Sequence, residues 1–451
     1  MNTEIFREYD IRGDVKRDLT DDVVRDIGRA FGSYMVSLGK KKVSICRDCR
    51  LSSGHYRDIL VESMTGSGLD VTDIGLAPTP LFYFSLFNLD VEGGIMVTGS
   101  HNPPTMNGFK VAVGKSTIYG EKIQDLRKII EAGKYITGKG SYGEYTDIVK
   151  DYYGYLRSNI SIGKTFKVVI DAGNGTGGVI AAPIMREFGQ DVTEVFCEMD
   201  GHFPNHFPDP TVEGNLVTLR DTILREKADV GIGYDGDADR IGVVDEKGGI
   251  IRGDYLTLIF ARQILKEHKG GTFISEVKCS RNLFDDIAKR GGVPVMWKAG
   301  HSLIKQKMKE THAMMGGEMS GHIFFADRFF GYDDAIYASL RFLEIMQGDG
   351  RPVSEFLADL PETYSTPEMR VDCPDNVKFE VVRELTELYR AKYPIIDTDG
   401  VRATFDGGWG LVRSSNTQPI LVLRFEADTP EALDRIQNIV MEDVERIKKK
   451  F

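Results

Sequence analysis

Three times along the chain, a short run of β-branched and apolar residues ends in a polar or glycine-containing loop and passes into a segment whose apolar positions recur with helical spacing. The runs are Val43 to Cys46, Phe166 to Ile170 and Thr272 to Val277, followed by RDCRLSSGHYRDILVESM, DAGNGTGGVIAAPIMREFG and KCSRNLFDDIAKRGG. Each copy later reaches a glycine-rich loop that enters a second apolar run: TGSHNPPTMNGFKVAV from Thr98, GYDGDADRIGVV from Gly233 and GGEMSGHIFF from Gly316. Strand alternating with helix predicts an α/β layer architecture, with loops at strand ends free for function. Beyond Pro361, Pro367 and Pro374 the pattern changes. VRATF (401–405), GWGLVRSSN and ILVLRFEA (420–427) read as strands. A helix follows with Thr429 as N-cap, Pro430 at its first position and Leu433, Ile436, Val440, Val444 and Ile447 on one apolar face. The pattern predicts three similar mixed α/β domains over 1–147, 148–249 and 250–361, plus a smaller C-terminal α+β domain over 362–451.

Composition narrows the partners. Lys plus Arg is 57 against 68 Asp plus Glu, a net charge of −11, which argues against a duplex nucleic-acid binder. Phosphorylated small ligands stay open, because an acidic protein can still focus a few cations in one cleft. No apolar run reaches the ~18–20 residues of a membrane span, and the start MNTEIFREYD lacks a secretory pattern, so a cytoplasmic location without membrane contact is expected. Of five cysteines, Cys46 and Cys49 form a lone CxxC with no second pair to complete a zinc site, and the expectation is a structural role.

The loops carry the candidate chemistry. Ser100 in TGSHNPP follows an apolar strand, but Thr98 and Asn102 stand where a hydrolase nucleophile elbow needs glycines. His101 is not expected to activate it, since adjacent side chains commonly diverge. Asp235, Asp237 and Asp239 alternate in DGDADR, and three such carboxylates call for a hard cation, Mg²⁺ ahead of Ca²⁺. A Ca²⁺-binding EF-hand loop fails at its sixth position, Arg240, and at its strand-like flanks. Gly173, Gly175 and Gly178 match GxGxxG after a strand, with Glu194 further on, which leaves an NAD-dependent oxidoreductase as a rival. Glu318, Ser320 and His322 alternate in GEMSGH, and a carboxylate beside a hydroxyl suits vicinal sugar hydroxyls. Arg413, Ser415, Asn416 and Thr417, with Arg424 further on, form a candidate anion nest. A serine acceptor, a metal site, a hydroxyl grip and a phosphate nest together point to phosphoryl transfer on a sugar.

At these residues the chain resembles the α-D-phosphohexomutase superfamily, closest to its phosphomannomutase/phosphoglucomutase group. The resemblance spans nearly the whole chain through YDIRG (9–13), TGSHNPP with GFK (108–110), DGDADR, EVKC (276–279), WKAGHSLIK (297–305), GEMSGH and RSSNTQP. It implies four domains around a deep central cleft, the last on a flexible joint. It implies Ser100 as phosphoserine and as a metal ligand with the three aspartates, and Arg12, Lys110 and His322 as the groups for proton transfer and transition-state charge. Tyr9, Arg240, Lys278, His301, Glu318, Ser320, Arg413, Ser415, Asn416 and Thr417 would bind substrate. The implied reaction moves a phosphoryl group between O1 and O6 of mannose or glucose phosphate, with Mg²⁺ and a glucose or mannose 1,6-bisphosphate activator. Met319 and the glycine before Ser100 favour this group over phosphoglucosamine mutase, the nearer alternative. In the cleft, Arg12, Lys110, Arg240, Lys278, Arg413 and Mg²⁺ are expected to outweigh the local aspartates.

Overall fold

A computed structural model of the chain describes residues 1–415 and 418–451. Four sheets of seven, five, four and six strands follow one another along it. In the first, strand Lys42–Arg47 pairs in parallel with Asp70–Leu76 and Gly93–Val97, and Gly93–Val97 pairs antiparallel with Met106–Val113. In the second, Lys167–Asp171 runs parallel to Val230–Tyr234, which turns back antiparallel into Ile241–Asp245. In the third, Thr272–Glu276 runs parallel to Met315–Gly317, which turns into Ile323–Phe325. The threefold repeat of the sequence is thus a repeat of structure, and the three glycine-rich loops are the turns between these antiparallel partners. Strands Gly93–Val97 and Val230–Tyr234 are buried throughout, which explains why they read as continuous apolar runs without polar alternation.

The last sheet is antiparallel from Ile395–Ile396 through Val401–Phe405 and Gly408–Ser414 to Ile420–Ala427, and helix Pro430–Lys448 packs across it. Thr429 Oγ1 accepts the Ala432 N–H at 3.2 Å, the expected cap. Ile436, Val440, Val444 and Ile447 face inward as expected, but Leu433 is only half-buried. Ala432 takes the inner position, and one residue further on lies about 100° around the helix.

One apolar cluster runs through the first three units, joining Phe82 and Leu86 to Tyr152 and Ile170, and onward to Phe260, Phe325 and Tyr337. Helix Thr79–Asn88, buried from Thr79 through Leu86, serves two units at once. The last unit has its own core around Val381, Leu385, Leu423, Ile436 and Val440. It meets the third through a small apolar cluster of Val277, Met296, Trp409 and Leu411 and through polar contacts. The Arg402 guanidinium donates to Val277 O at 2.6 Å and Cys279 O at 2.8 Å while lying 3.6 Å from the Trp409 ring centroid. Arg252 also donates to Ser365 Oγ at 2.7 Å. One large apolar core is shared by the first three units, whereas the fourth keeps its own core and joins the third through the small cluster and these polar bonds, a smaller interface that favours relative motion.

Among the described residues no helix is long and apolar enough to cross a membrane. The Cys46 thiol donates to Ala77 O and the Cys49 thiol to Asn174 O, and burial pushes Cys46 up and Cys49 up to about 12, so both act as packing groups.

Asp334 joins the second and third units. Its carboxylate caps helix Ala335–Asp349 by accepting the Tyr337 N–H at 2.8 Å and accepts the Tyr152 hydroxyl at 2.8 Å. Burial pushes its pKa up to about 7 from an ordinary 3.8. A carboxyl group that holds its proton more tightly when folded costs stability as pH rises from the unfolded value through the folded one. The cost is complete above pH 7 and on the order of 4 kcal/mol. Asp334→Asn keeps the cap and removes the buried charge. Thermal unfolding is expected to show a higher Tm for the variant at pH 8, with a much smaller gain at pH 5; equal gains at both would refute the assignment.

Candidate active site

Ser100 sits at the tip of the first turn with φ of +50°, a conformation disfavoured for a residue with a side chain. Its N–H is held by Thr98 Oγ1 at 2.9 Å, and its hydroxyl donates to Asp235 Oδ2 at 2.7 Å across the boundary between the first two sheets. His101 Nδ1 lies 3.1 Å from Ser100 Oγ, so the expected divergence of these neighbours is overturned: the positive φ swings them together. Burial, then the charges of Arg240 and Arg12, hold His101 well below the usual histidine range, leaving it neutral.

Asp235, Asp237 and Asp239 converge, with ligand atoms within 4.8 Å of one another and all three side chains buried. Lys110 Nζ donates to Asp237 Oδ2 at 2.7 Å and to Asp239 Oδ2. Burial opposes the Lys110 charge, but Asp237 and Asp239 outweigh it and hold the ammonium well above its ordinary range. For Asp235, burial and then its two neighbours push the carboxyl well up, whereas Lys110 overcomes burial to lower Asp237. Asp237 Oδ1 and Asp239 Oδ1 are buried without a hydrogen-bond partner. Crowded carboxylates with two unpartnered oxygens suit a hard divalent cation by donor type and by charge.

The third loop joins through Arg240, whose Nε–H donates to His322 Nε2 at 2.9 Å. His322 therefore carries its ring hydrogen on Nδ1, 2.9 Å from Asp333 Oδ2. His301 stacks on His322 with ring centroids 5.3 Å apart, and Tyr9 lies against His301 while donating to Ala299 O at 2.9 Å. Glu318 Oε1 accepts the Gly300 N–H at 2.6 Å, and Ser320 is half-buried beside it in the same loop.

The fourth loop connects through Asp399, which accepts from Arg413 Nε at 2.9 Å and from the Ala299 N–H at 3.0 Å. Lys378 Nζ donates to Ser415 O at 2.6 Å and Gln418 O at 3.0 Å, pinning both ends of the loop. Asn416 and Thr417 lie outside the described residues. Arg424 does not join the nest: it is buried beside Met319 Sδ, 3.8 Å from Asp254. Four of the five cleft cations have carboxylate partners, while Arg240 donates to His322. Arg12 is held by Asp10, Lys110 by Asp237 and Asp239, Lys278 by Glu276 and Glu368, and Arg413 by Asp399. Buried cations are retained here as aimed donors, each with a counter-charge that lowers its desolvation cost.

Four domain families described as phosphoglucomutase/phosphomannomutase domains I, II, III and the C-terminal domain match residues 3–136, 144–249, 252–364 and 368–443 in order. The chain belongs to the phosphoglucomutase/phosphomannomutase family. It is 44% identical over 440 residues to a phosphomannomutase/phosphoglucomutase of Pseudomonas aeruginosa, covering 97% of this chain and 95% of that protein. It is 43% identical to a phosphoglucomutase of Neisseria gonorrhoeae, covering 97% and 96%. A crystal structure of a phosphoglucomutase/phosphomannomutase family protein from Burkholderia thailandensis superposes with a TM-score of 0.94 at 39% identity, covering 99% and 98%.

Within this family fold the GxGxxG glycines have a packing explanation. A Cβ on Gly175 would stand 2.6 Å from Gly236 O in the aspartate loop, and one on Gly178 would stand 2.6 Å from Cys197 backbone. Glu194, the supposed ribose ligand, pairs with Arg186 at 2.6 Å.

Sequence reasoning assigned no role to Arg50, although it lies in the RDCR segment. Its fully buried guanidinium donates to four carbonyls of the serine loop: Ser100 O at 2.7 Å, Asn102 O at 2.5 Å, Pro103 O at 2.7 Å and Met106 O at 2.9 Å. Gly99 makes room for it, since a Cβ there would lie 2.7 Å from Arg50 Nε and Cζ. Only a planar five-donor fork can serve so many acceptors. Arg50→Lys is expected to lower kcat about 10²-fold with KM little changed, because the loop loses its aim by about an ångström. Stability is expected to drop by about 3 kcal/mol as buried carbonyls lose donors. Steady-state kinetics and denaturant unfolding measure both, and a KM-only effect would contradict the clamp.

Proposed function

We propose that the protein is a phosphohexomutase that interconverts the 1- and 6-phosphates of mannose and glucose. Ser100 carries the transferred phosphoryl group, and Asp235, Asp237 and Asp239 hold Mg²⁺. The observation that carries this reading is the Ser100 hydroxyl, presented by left-handed backbone and 2.7 Å from the first carboxylate of the buried triad.

In the first half-reaction O6 of a hexose 1-phosphate attacks the phosphoserine phosphorus. The O6–P bond forms as the Oγ–P bond breaks; the sugar hydroxyl loses its proton to a base in the cleft, and Ser100 Oγ acquires one. The 1,6-bisphosphate then turns over. Its O1 phosphoryl group moves to Ser100 Oγ, leaving hexose 6-phosphate and phosphorylated enzyme. Such transfers pass through loose transition states, so positioning and charge matter more than covalent assistance. Bound Mg²⁺ supplies charge neutralisation for the phosphoryl oxygens. Asp237 and Asp239 beside it favour the charged form of Lys110, which brings a positive charge to the transferred group. Asp235 Oδ2 and His101 Nδ1 are the groups in reach of the serine proton. His322 serves the sugar proton only after Arg240 releases Nε2. Glu318 and Ser320 grip two ring hydroxyls, and the Arg413 loop, with Ser415, Asn416 and Thr417, holds the non-reacting phosphate. A trace of glucose or mannose 1,6-bisphosphate restores phosphoserine lost to hydrolysis.

Parallel assays of glucose, mannose and glucosamine 1-phosphates test the substrate. Glucose and mannose are expected within about tenfold of each other in kcat/KM, since a ring that turns over leaves O2 without one constant partner, and discrimination then costs only about 1–3 kcal/mol. Preference for glucosamine 1-phosphate would overturn the assignment.

A further inference from the structure

A cavity of about 230 Å³ opens between the first and third units, and none of the proposed catalytic or binding residues lines it. Four lysines do: Lys115 and Lys122 from the first unit, Lys305 and Lys309 from the third. No Asp or Glu is among its described wall residues. Lys305 bonds to Asp333 Oδ1 behind the wall at 3.0 Å, and Lys309 donates to Ser116 Oγ. Lys115 lies over the Phe87 ring, and neither it nor Lys122 has a carboxylate among the cavity's described wall residues. Partial burial, then the charge of Lys305, lower Lys309 below the ordinary lysine range. Four gathered cations, only Lys305 of which has a carboxylate partner among the described residues, call for an anion.

Aromatic rings line the cavity beside these lysines: Lys115 Nζ lies 5.1 Å from the Phe87 ring centroid and Lys305 Nζ 4.4 Å from that of Tyr83. Phe87 and Phe330 lie with ring centroids 4.8 Å apart, and Tyr83 and Tyr332 with centroids 5.3 Å apart. Tyr332 lines the cavity, and its buried hydroxyl has no hydrogen-bond partner among the described residues. Rings and ammonium groups lining one cavity suit a small phosphomonoester bearing a flat ring. The geometry points to this cavity as a second, non-catalytic site for such an anion. It connects to the chemistry by one short path: Lys305 to Asp333, and Asp333 to His322. An anion that draws on Lys305 alters what holds His322, so occupancy acts on turnover rather than on hexose phosphate binding.

Phenyl phosphate tests the site by calorimetric titration of the full chain, with and without saturating glucose 1,6-bisphosphate. One molecule per chain is expected to bind with an affinity the bisphosphate leaves unchanged. The affinity should fall at least tenfold in the Lys115→Gln/Lys122→Gln variant and measurably in Tyr332→Phe, while inorganic phosphate binds more weakly than the ring-bearing ester. In turnover assays phenyl phosphate should lower kcat with KM unchanged. Competition with the bisphosphate, an unchanged affinity in the double variant, equal binding of inorganic phosphate, or an unaltered kcat would each overturn the proposal. A bisphosphate that fails to bind at all would count against the mutase reading instead, and the lysine variants would still decide the cavity.

Discussion

Ser100→Ala is expected to lose at least about 10⁴-fold in kcat for either hexose 1-phosphate, because it removes the atom that accepts and returns the phosphoryl group. The fold should survive. Alanine pays the same left-handed backbone cost as serine, and the Arg50 fork and the Thr98 bond act on backbone atoms that the substitution leaves in place. Incubation with glucose 1,6-bisphosphate should add one phosphate to the wild-type chain, located at Ser100 by peptide mass analysis, and none to the variant. Wild-type turnover by Ser100→Ala, or a phosphate on another residue, would sink the phosphoserine assignment. The loss should exceed that of Arg50→Lys by about two orders of magnitude, since one change removes the acceptor and the other only misdirects it.

Removal of divalent metal is expected to cost at least about 10³-fold in turnover, with recovery on addition of Mg²⁺. The reason lies in the charge count at the triad. Three buried carboxylates face one ammonium, Lys110, and two of their oxygens lack any partner. Added Mg²⁺ should therefore raise the Tm, by an amount that grows with its concentration. Its affinity should increase with pH, because a cation competes with the proton that Asp235 holds well above the carboxylate range. Asp239→Asn should blunt both the thermal and the kinetic response. Full turnover in chelator would contradict the metal assignment, as would a Tm indifferent to Mg²⁺.

Much of the site is legible along the chain because each reactive group lies in a short loop bounded by apolar runs. TGSHNPP, DGDADR and GEMSGH announce themselves by composition, and the strand before each loop is a continuous buried run whose end is easy to place. The groups that stayed hidden do their work at long range or through backbone atoms. Arg50 reaches carbonyls about fifty residues away, Asp399 ties Ala299 to Arg413, and Lys378 pins the Ser415 loop from a helix. Nothing in their local sequence differs from an ordinary solvated charge.

The periodicity of apolar positions and the composition of the turns were enough to indicate three α/β repeats, a different α+β last unit, and which loops hold the candidates for an acceptor serine, metal ligands and an anion nest. Folding alone decided that Ser100 meets Asp235, 135 positions away, that His101 turns toward its neighbour, and that Arg12, Lys110, Lys278 and Arg413 each have a carboxylate partner. It also decided that four lysines and aromatic rings line one cavity between the first and third units. Local pattern is set by steric and solvation preferences of a few consecutive residues, so it can be read from them. Partner choice, side-chain direction and burial depend on which distant segments a shared core brings together.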